Sequence, residues 1–193
     1  MPSNKINPKE FFTSYLDDFS ELVKPDEKII YQLEKVADLI KVINTKGNKI
    51  LIFGNGGSAA ISSHFSVDLT KNAGIRCVNC NEPDLITCFA NDYGYERWVE
   101  KAIDFYGDEG DLLIVISSSG SSENMLNGVK AARNGNFNAV VTFTGFADEN
   151  PLRQLGDINL WADSKAYNFI ENIHQVWLLA IVDLIIGSRE YSA

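Results

Sequence analysis

The chain has 193 residues, 45% of them apolar and 22% charged, with a formal net charge of −9. It is long and apolar enough to pack one domain, which excludes a disordered chain. Its acidic balance, with no Lys/Arg block, argues against direct binding of nucleic acid, which clustered cations drive.

The N-terminus, Met1-Pro-Ser-Asn-Lys-Ile-Asn-Pro8, has no apolar signal core, and no run of 18 apolar residues follows. No membrane contact is expected, and a cytoplasmic location is. Phe12, Tyr15, Leu16, Phe19, Leu22 and Val23 recur at steps of three and four, which predicts a helix broken by Pro25-Asp26. A second amphipathic helix takes Ile29, Ile30, Leu33, Val36, Ala37, Ile40 and Ile43 and closes near Lys46-Gly47. Residues 1–46 are thus expected to be a helical extension of a single domain, 1–193. Its aromatic stripe packs on that domain or on a partner subunit.

From Lys49 onward strands and helices alternate. Strand Ile50–Phe53 leads to helix Ser58–Lys71, and strand Ile75–Cys80 to a short helical piece at Leu85–Ala90. Past Asn91-Asp-Tyr-Gly94 come helix Glu96–Tyr106, strand Asp111–Ile116 and helix Glu123–Asn134. Strand Ala139–Thr144, a turn at Gly145, a weaker strand Ile158–Trp161 and a long helix Ala166–Ile186 close the chain. Near-continuous apolar strands in this order predict an α/β fold whose parallel sheet is covered on both faces.

Ligands of such sheets sit beyond the carboxyl ends of the strands, where two polar loops fall. Ser117-Ser-Ser-Gly-Ser-Ser-Glu-Asn124 lies between a buried strand and a helix start. Backbone N–H groups, the helix dipole and the Ser hydroxyls suit an anion there. The loop holds no Lys or Arg, so neutral donors would hold a phosphate monoester that must come and go. Gly54-Asn-Gly-Gly-Ser58 follows the first strand, and the two loops together suit one small phosphorylated ligand.

Gly54-Asn-Gly56-Gly-Ser-Ala59 also satisfies the dinucleotide pattern G-x-G-x-x-[GA], with Glu82 further on. The hydroxyl-rich loop has no part in such a site. His64 and Asp68, one turn apart on the helix after the glycines, also favour the phosphate monoester. Glu171 and His174 form a second His/carboxylate pair, at i, i+3 on the last helix. Cys77 and Cys80 make a C-x-x-C in an extended run, with no helix to lower a thiol pKa and no second pair to complete a zinc site. They read as structural.

Gly54–Ser58, His64-Phe65, Asn91-Asp92-Tyr-Gly94 and Ile116–Ser122, in this order and spacing, resemble the SIS (sugar isomerase) domain family, and within it the phosphoheptose isomerases. The resemblance covers nearly the whole chain. It implies a three-layer, flavodoxin-like parallel sheet with N-terminal helices, and a homotetramer with active sites at subunit interfaces. The implied activity is sugar-phosphate aldose–ketose isomerisation, of sedoheptulose 7-phosphate for lipopolysaccharide synthesis or of another ketose phosphate, with a divalent metal, zinc. Ser117, Ser118, Ser119 and Ser122 would bind the phosphate; Asn55, Gly56, Gly57, Ser58, Asn91 and Asp92 would bind the sugar.

The family's metal and catalytic positions fall on His64, Asp68, Glu171 and Leu179. The family has Glu where Asp68 stands, Gln where Glu171 stands and an essential His where Leu179 stands. His64, Asp68 and Glu171, with His174 one turn away, then make an alternative set of ligands for the metal. Glu171 is expected to be the base, His174 the assisting acid/base, and Asp68 to hold metal or a sugar hydroxyl. The contrasting expectation is a catalytically inactive SIS module that binds a sugar phosphate or a protein, like the family's replication-initiator-associating member.

Overall fold

The apolar runs become one parallel sheet in a computed structural model that describes residues 6–190. Its strands are β1 (Ile50–Gly54), β2 (Cys77–Val78), β3 (Leu112–Ser117), β4 (Ala139–Thr144) and β5 (Ile158–Trp161), in the order β2-β1-β3-β4-β5. The winding reverses between β1 and β3, where the carboxyl ends of the two strands leave a crevice. Ile50, Ile52, Leu112, Ile114, Ile116, Val141 and Phe143 fill one face, while Leu51, Phe53, Leu113, Val115 and Val140 fill the other, all fully buried. A slip of one residue would exchange the two sets, so burial fixes the register.

Helices α2 (Glu27–Thr45), α3 (Gly57–Lys71) and α7 (Tyr167–Ile186) cover the first face. Helices α5 (Trp98–Tyr106) and α6 (Glu123–Asn134) cover the second, with α4 (Pro83–Tyr93) at its edge. By length and hydropathy α7 has the makings of a membrane span, yet its stripe of Ile170, Ile173, Trp177, Leu178 and Ile181 packs into the core. Asp26 accepts the Ile29 N–H at 2.7 Å and starts α2, a cap that contributes about 1 kcal/mol. Helix α1 (Pro8–Val23) rests Tyr15 and Phe19 on Phe169, with ring centroids 4.6 and 5.7 Å apart. Phe11, Phe12 and Leu16 stay exposed, so the aromatic stripe is only half used by its own chain.

Two stretches differ from the sequence expectation. β2 is two residues long, and past it the chain is tied to α3: Asn79 Nδ2 donates to Ser66 Oγ at 2.7 Å and Asn81 Nδ2 to the Ala59 carbonyl at 2.9 Å. Between them Cys80 takes a φ of 51°. Asn91-Asp92-Tyr93 are the last turn of α4, not a loop, and the turn comes at Gly94 (φ 91°) and a 3₁₀ turn, Tyr95–Arg97. The cysteines are free thiols. Burial pushes the Cys77 thiol far up and that of Cys80 to about 11, in keeping with a structural role.

Candidate active site

Gly54 ends β1 because a Cβ there would overlap Ser58 in the first turn of α3. Gly56, at φ 55° and ψ −121°, then turns the chain into α3, a conformation that only glycine adopts readily. No side chain caps the start of α3. On the neighbouring strand, β3 ends at Ser117 and the loop folds at Gly120 (φ 63°), whose N–H donates to the Ser117 carbonyl at 3.0 Å. The Gly145 and Leu152 N–H groups hold the Ser118 and Gly120 carbonyls, each at 2.9 Å. Buried Asn150 fills the space a Gly120 Cβ would need. The loop backbone is therefore fixed before any ligand arrives.

Its hydroxyls are less committed. Ser122 is the N-cap of α6, yet its side chain caps nothing. Ser117 Oγ and Ser122 Oγ share one bond of 3.3 Å, and Ser118 Oγ is buried without a partner. A buried hydroxyl left unbonded costs free energy that an incoming acceptor recovers. Asn55, Ser58, Ile116, Ser117, Ser118, Ser119, Ser122, Tyr167 and Glu171 line a single cavity of about 120 Å³.

Among these lining residues Glu171 alone carries a charge. Its carboxylate lies against Gly57, where any Cβ would have to displace it. Tyr167, one turn earlier on α7, rests its ring on Phe146 at 4.9 Å. Asn55 is held by Asn124 and Tyr95 through bonds of 2.9 to 3.1 Å. Sequence reasoning passed over Tyr167, Tyr95 and Asn124. Tyr167 was within reach of it, being at i, i−4 from Glu171.

Other expected residues stand elsewhere. Asn91 and Asp92 do not line the cavity; at the end of α4, Asn91 Nδ2 donates to Asp92 Oδ1 at 2.8 Å. His174 is fully buried between Phe143 and Trp177, with Nε2 3.0 Å from the Thr144 carbonyl. Burial pushes its pKa down to about 4, against the opposing pull of the Thr144 bond. At neutral pH the ring is uncharged and donates Nε2–H to that carbonyl. The expected acid/base is thus a core residue outside the cavity.

His64 and Asp68 do meet, Nε2 to Oδ2 at 3.2 Å. Gln175 places its amide nitrogen 3.1 Å from His64 Nδ1. That neighbour was missed too, although it follows Glu171 by one turn on the same helix face. Glu171 does not join them, since its carboxylate lies at Gly57, about two turns or ~10 Å along α3 from His64. Among the described residues no three of His, Cys, Asp and Glu gather. A catalytic zinc takes three protein ligands, whereas this chain offers the His64–Asp68 pair and, in Leu179, no donor. The residues do not fit a zinc site within the chain, and the expected His64, Asp68 and Glu171 set reduces to that pair.

The SIS domain family pattern matches residues 14–145. The chain is 34% identical to the phosphoheptose isomerase of Fusobacterium nucleatum over 178 residues, 89% of this chain and 91% of that protein. It is also 34% identical to the phosphoheptose isomerase of Cytophaga hutchinsonii over 190 residues, 95% of each. The phosphoheptose isomerase structure from Neisseria gonorrhoeae superposes with a TM-score of 0.87 at 27% identity, over 94% of this chain and 100% of that one. Strand order, the two loops at the switch point and these matches agree: the chain belongs to the SIS domain family, among the phosphoheptose isomerases.

Proposed function

We propose that this chain interconverts sedoheptulose 7-phosphate and glycero-manno-heptose 7-phosphate. The observation that carries the reading is one crevice holding both a hydroxyl cradle and a single carboxylate. The phosphate lies against Ser117, Ser118, Ser119 and Ser122 at the start of α6, where the dipole favours negative charge. Binding energy gained there positions C1 and C2 beside Glu171.

The Glu171 carboxylate takes a proton from C1 of the ketose, the C–H electron pair forms the C1–C2 double bond, and O2 takes the charge. Return of the proton to C2, with transfer of the O1 proton to O2, gives the aldose. His64 and Asp68 hold sugar hydroxyls. The working unit is a cytoplasmic homotetramer; the apolar surface that Phe11, Phe12, Leu16, Ile30 and Tyr31 expose supports association of copies.

Incubation of the purified protein with sedoheptulose 7-phosphate, with and without added zinc, tests the reading by the appearance of the aldose. Binding of the ketose phosphate without product would favour the second reading, an inactive phosphosugar-binding module. The observation on its side is that no imidazole lines the cavity.

A further inference from the structure

Asn55 enters the cavity directly after β1. Its Oδ1 accepts from Asn124 Nδ2 at 2.9 Å and from Tyr95 Oη at 3.0 Å, while its Nδ2 donates to Asn124 Oδ1 at 3.1 Å. The surrounding donors favour one orientation of this amide pair. Asn124 Oδ1 also accepts the Met125 backbone N–H at 3.1 Å, a hydrogen that the Ser122 carbonyl shares at 3.0 Å; a backbone N–H always donates, which favours the oxygen at that position. The nitrogen of Asn124 then faces Asn55, whose oxygen must be the acceptor. Both lone pairs of Asn55 Oδ1 are used, one of its two N–H bonds is taken, and one remains for the cavity. Asn124 is 3% exposed and Asn55 half-buried, so water is kept from the Asn124 side of the pair.

We propose that Asn124, assisted by Tyr95, is a positioning residue that makes Asn55 an obligatory N–H donor to the reacting oxygens of the sugar. The inference rests on the isomerase reading above. A reversed amide would aim a lone pair at those oxygens; the locked one aims a proton. In the enediolate the oxygens carry more negative charge than in the sugar, so a donor fixed in advance binds the transition state more strongly than the ground state. No side chain of the serine loop bonds Asn55, Asn124 or Tyr95.

The test is Asn124→Ala, measured against three ligands: the ketose phosphate, inorganic phosphate, and a phosphorylated aldonohydroxamate that mimics the enediolate. The expected result is a fall in kcat of about tenfold to a hundredfold, the usual effect of misplacing a group near the reacting atoms. The inhibition constant of the hydroxamate should weaken by the same factor, with KM and the inhibition constant of inorganic phosphate within about threefold of wild type. An unchanged kcat, or equal weakening of all three ligands, would overturn the inference. Should Asn124→Ala fail to fold, Tyr95→Phe removes only an exposed hydroxyl. A loss in kcat of about threefold to tenfold supports the role, and an unchanged kcat refutes it. If the wild-type chain binds the ketose phosphate without turning it over, the isomerase reading fails, and selective weakening of the hydroxamate alone still decides for or against Asn124.

Discussion

Replacing His174 with Gln tests whether this imidazole belongs to the core or to the chemistry. The ring is fully buried and its pKa is pushed down to about 4 from an ordinary 6.5. The unfolded chain takes up a proton near pH 6.5, whereas the folded chain refuses it until near pH 4. Between those values the unfolded state binds more protons, so stability falls as pH falls and levels off below about 4. The difference corresponds to about 3 kcal/mol. Gln keeps a nitrogen donor for the Thr144 carbonyl but cannot titrate.

Urea unfolding of both proteins, followed by Trp fluorescence at fixed protomer concentration, should show the wild type losing about 3 kcal/mol more than the variant between pH 7 and pH 4. The carboxylates are common to both proteins and cancel in the comparison. Turnover of the variant should remain within about threefold of wild type, since general acid–base groups contribute about a hundredfold or more. Parallel loss of stability in the two proteins would refute the burial argument. Loss of two decades in turnover would return the ring to the chemistry.

Three further outcomes are expected. Glu171→Gln should lower turnover by about two to four decades while leaving inhibition by inorganic phosphate unchanged; a near wild-type rate would remove Glu171 from the role of base. Ser118→Ala deletes a buried hydroxyl that has no partner, so the unfolding midpoint should hold or rise while KM rises about tenfold; a lower midpoint with unchanged KM would contradict the phosphate assignment. Dialysis against a strong chelator should leave turnover unaltered, because His64 and Asp68 are too few to hold a catalytic zinc; activity lost on dialysis and restored by zinc would show that the donor set is completed from elsewhere.

The sheet was legible because strands buried on both faces read as unbroken apolar runs, and Ala139–Thr144 and Ile158–Trp161 fall where the pattern put them. The edge of the sheet was not: the backbone leaves the extended region at Cys80 (φ 51°) and Asn79 and Asn81 bond α3, neither of which periodicity records. Asn91 and Asp92 carry turn chemistry yet sit in α4, where packing of the helix outweighs their local preference. The serine loop stood out through density of hydroxyls between a strand and a helix. The burial of His174 is written in its stripe: it falls with Ile170, Trp177, Leu178 and Ile181, all buried, while Glu171 and Gln175 mark a different face. The partnership of Asn55 with Asn124 and Tyr95 joins residues distant in sequence and left no local trace.

The cradle after β3 contains no Lys or Arg, in a chain of net charge −9. A dianion held there would rest on dipoles and hydroxyls, with the Glu171 carboxylate the one charge among the lining residues. Its approach is opposed by like charge at long range, which added salt relieves. Raising ionic strength should therefore speed capture of the ligand, the reverse of what a cation-lined site shows. A cradle of this kind would forgo electrostatic steering.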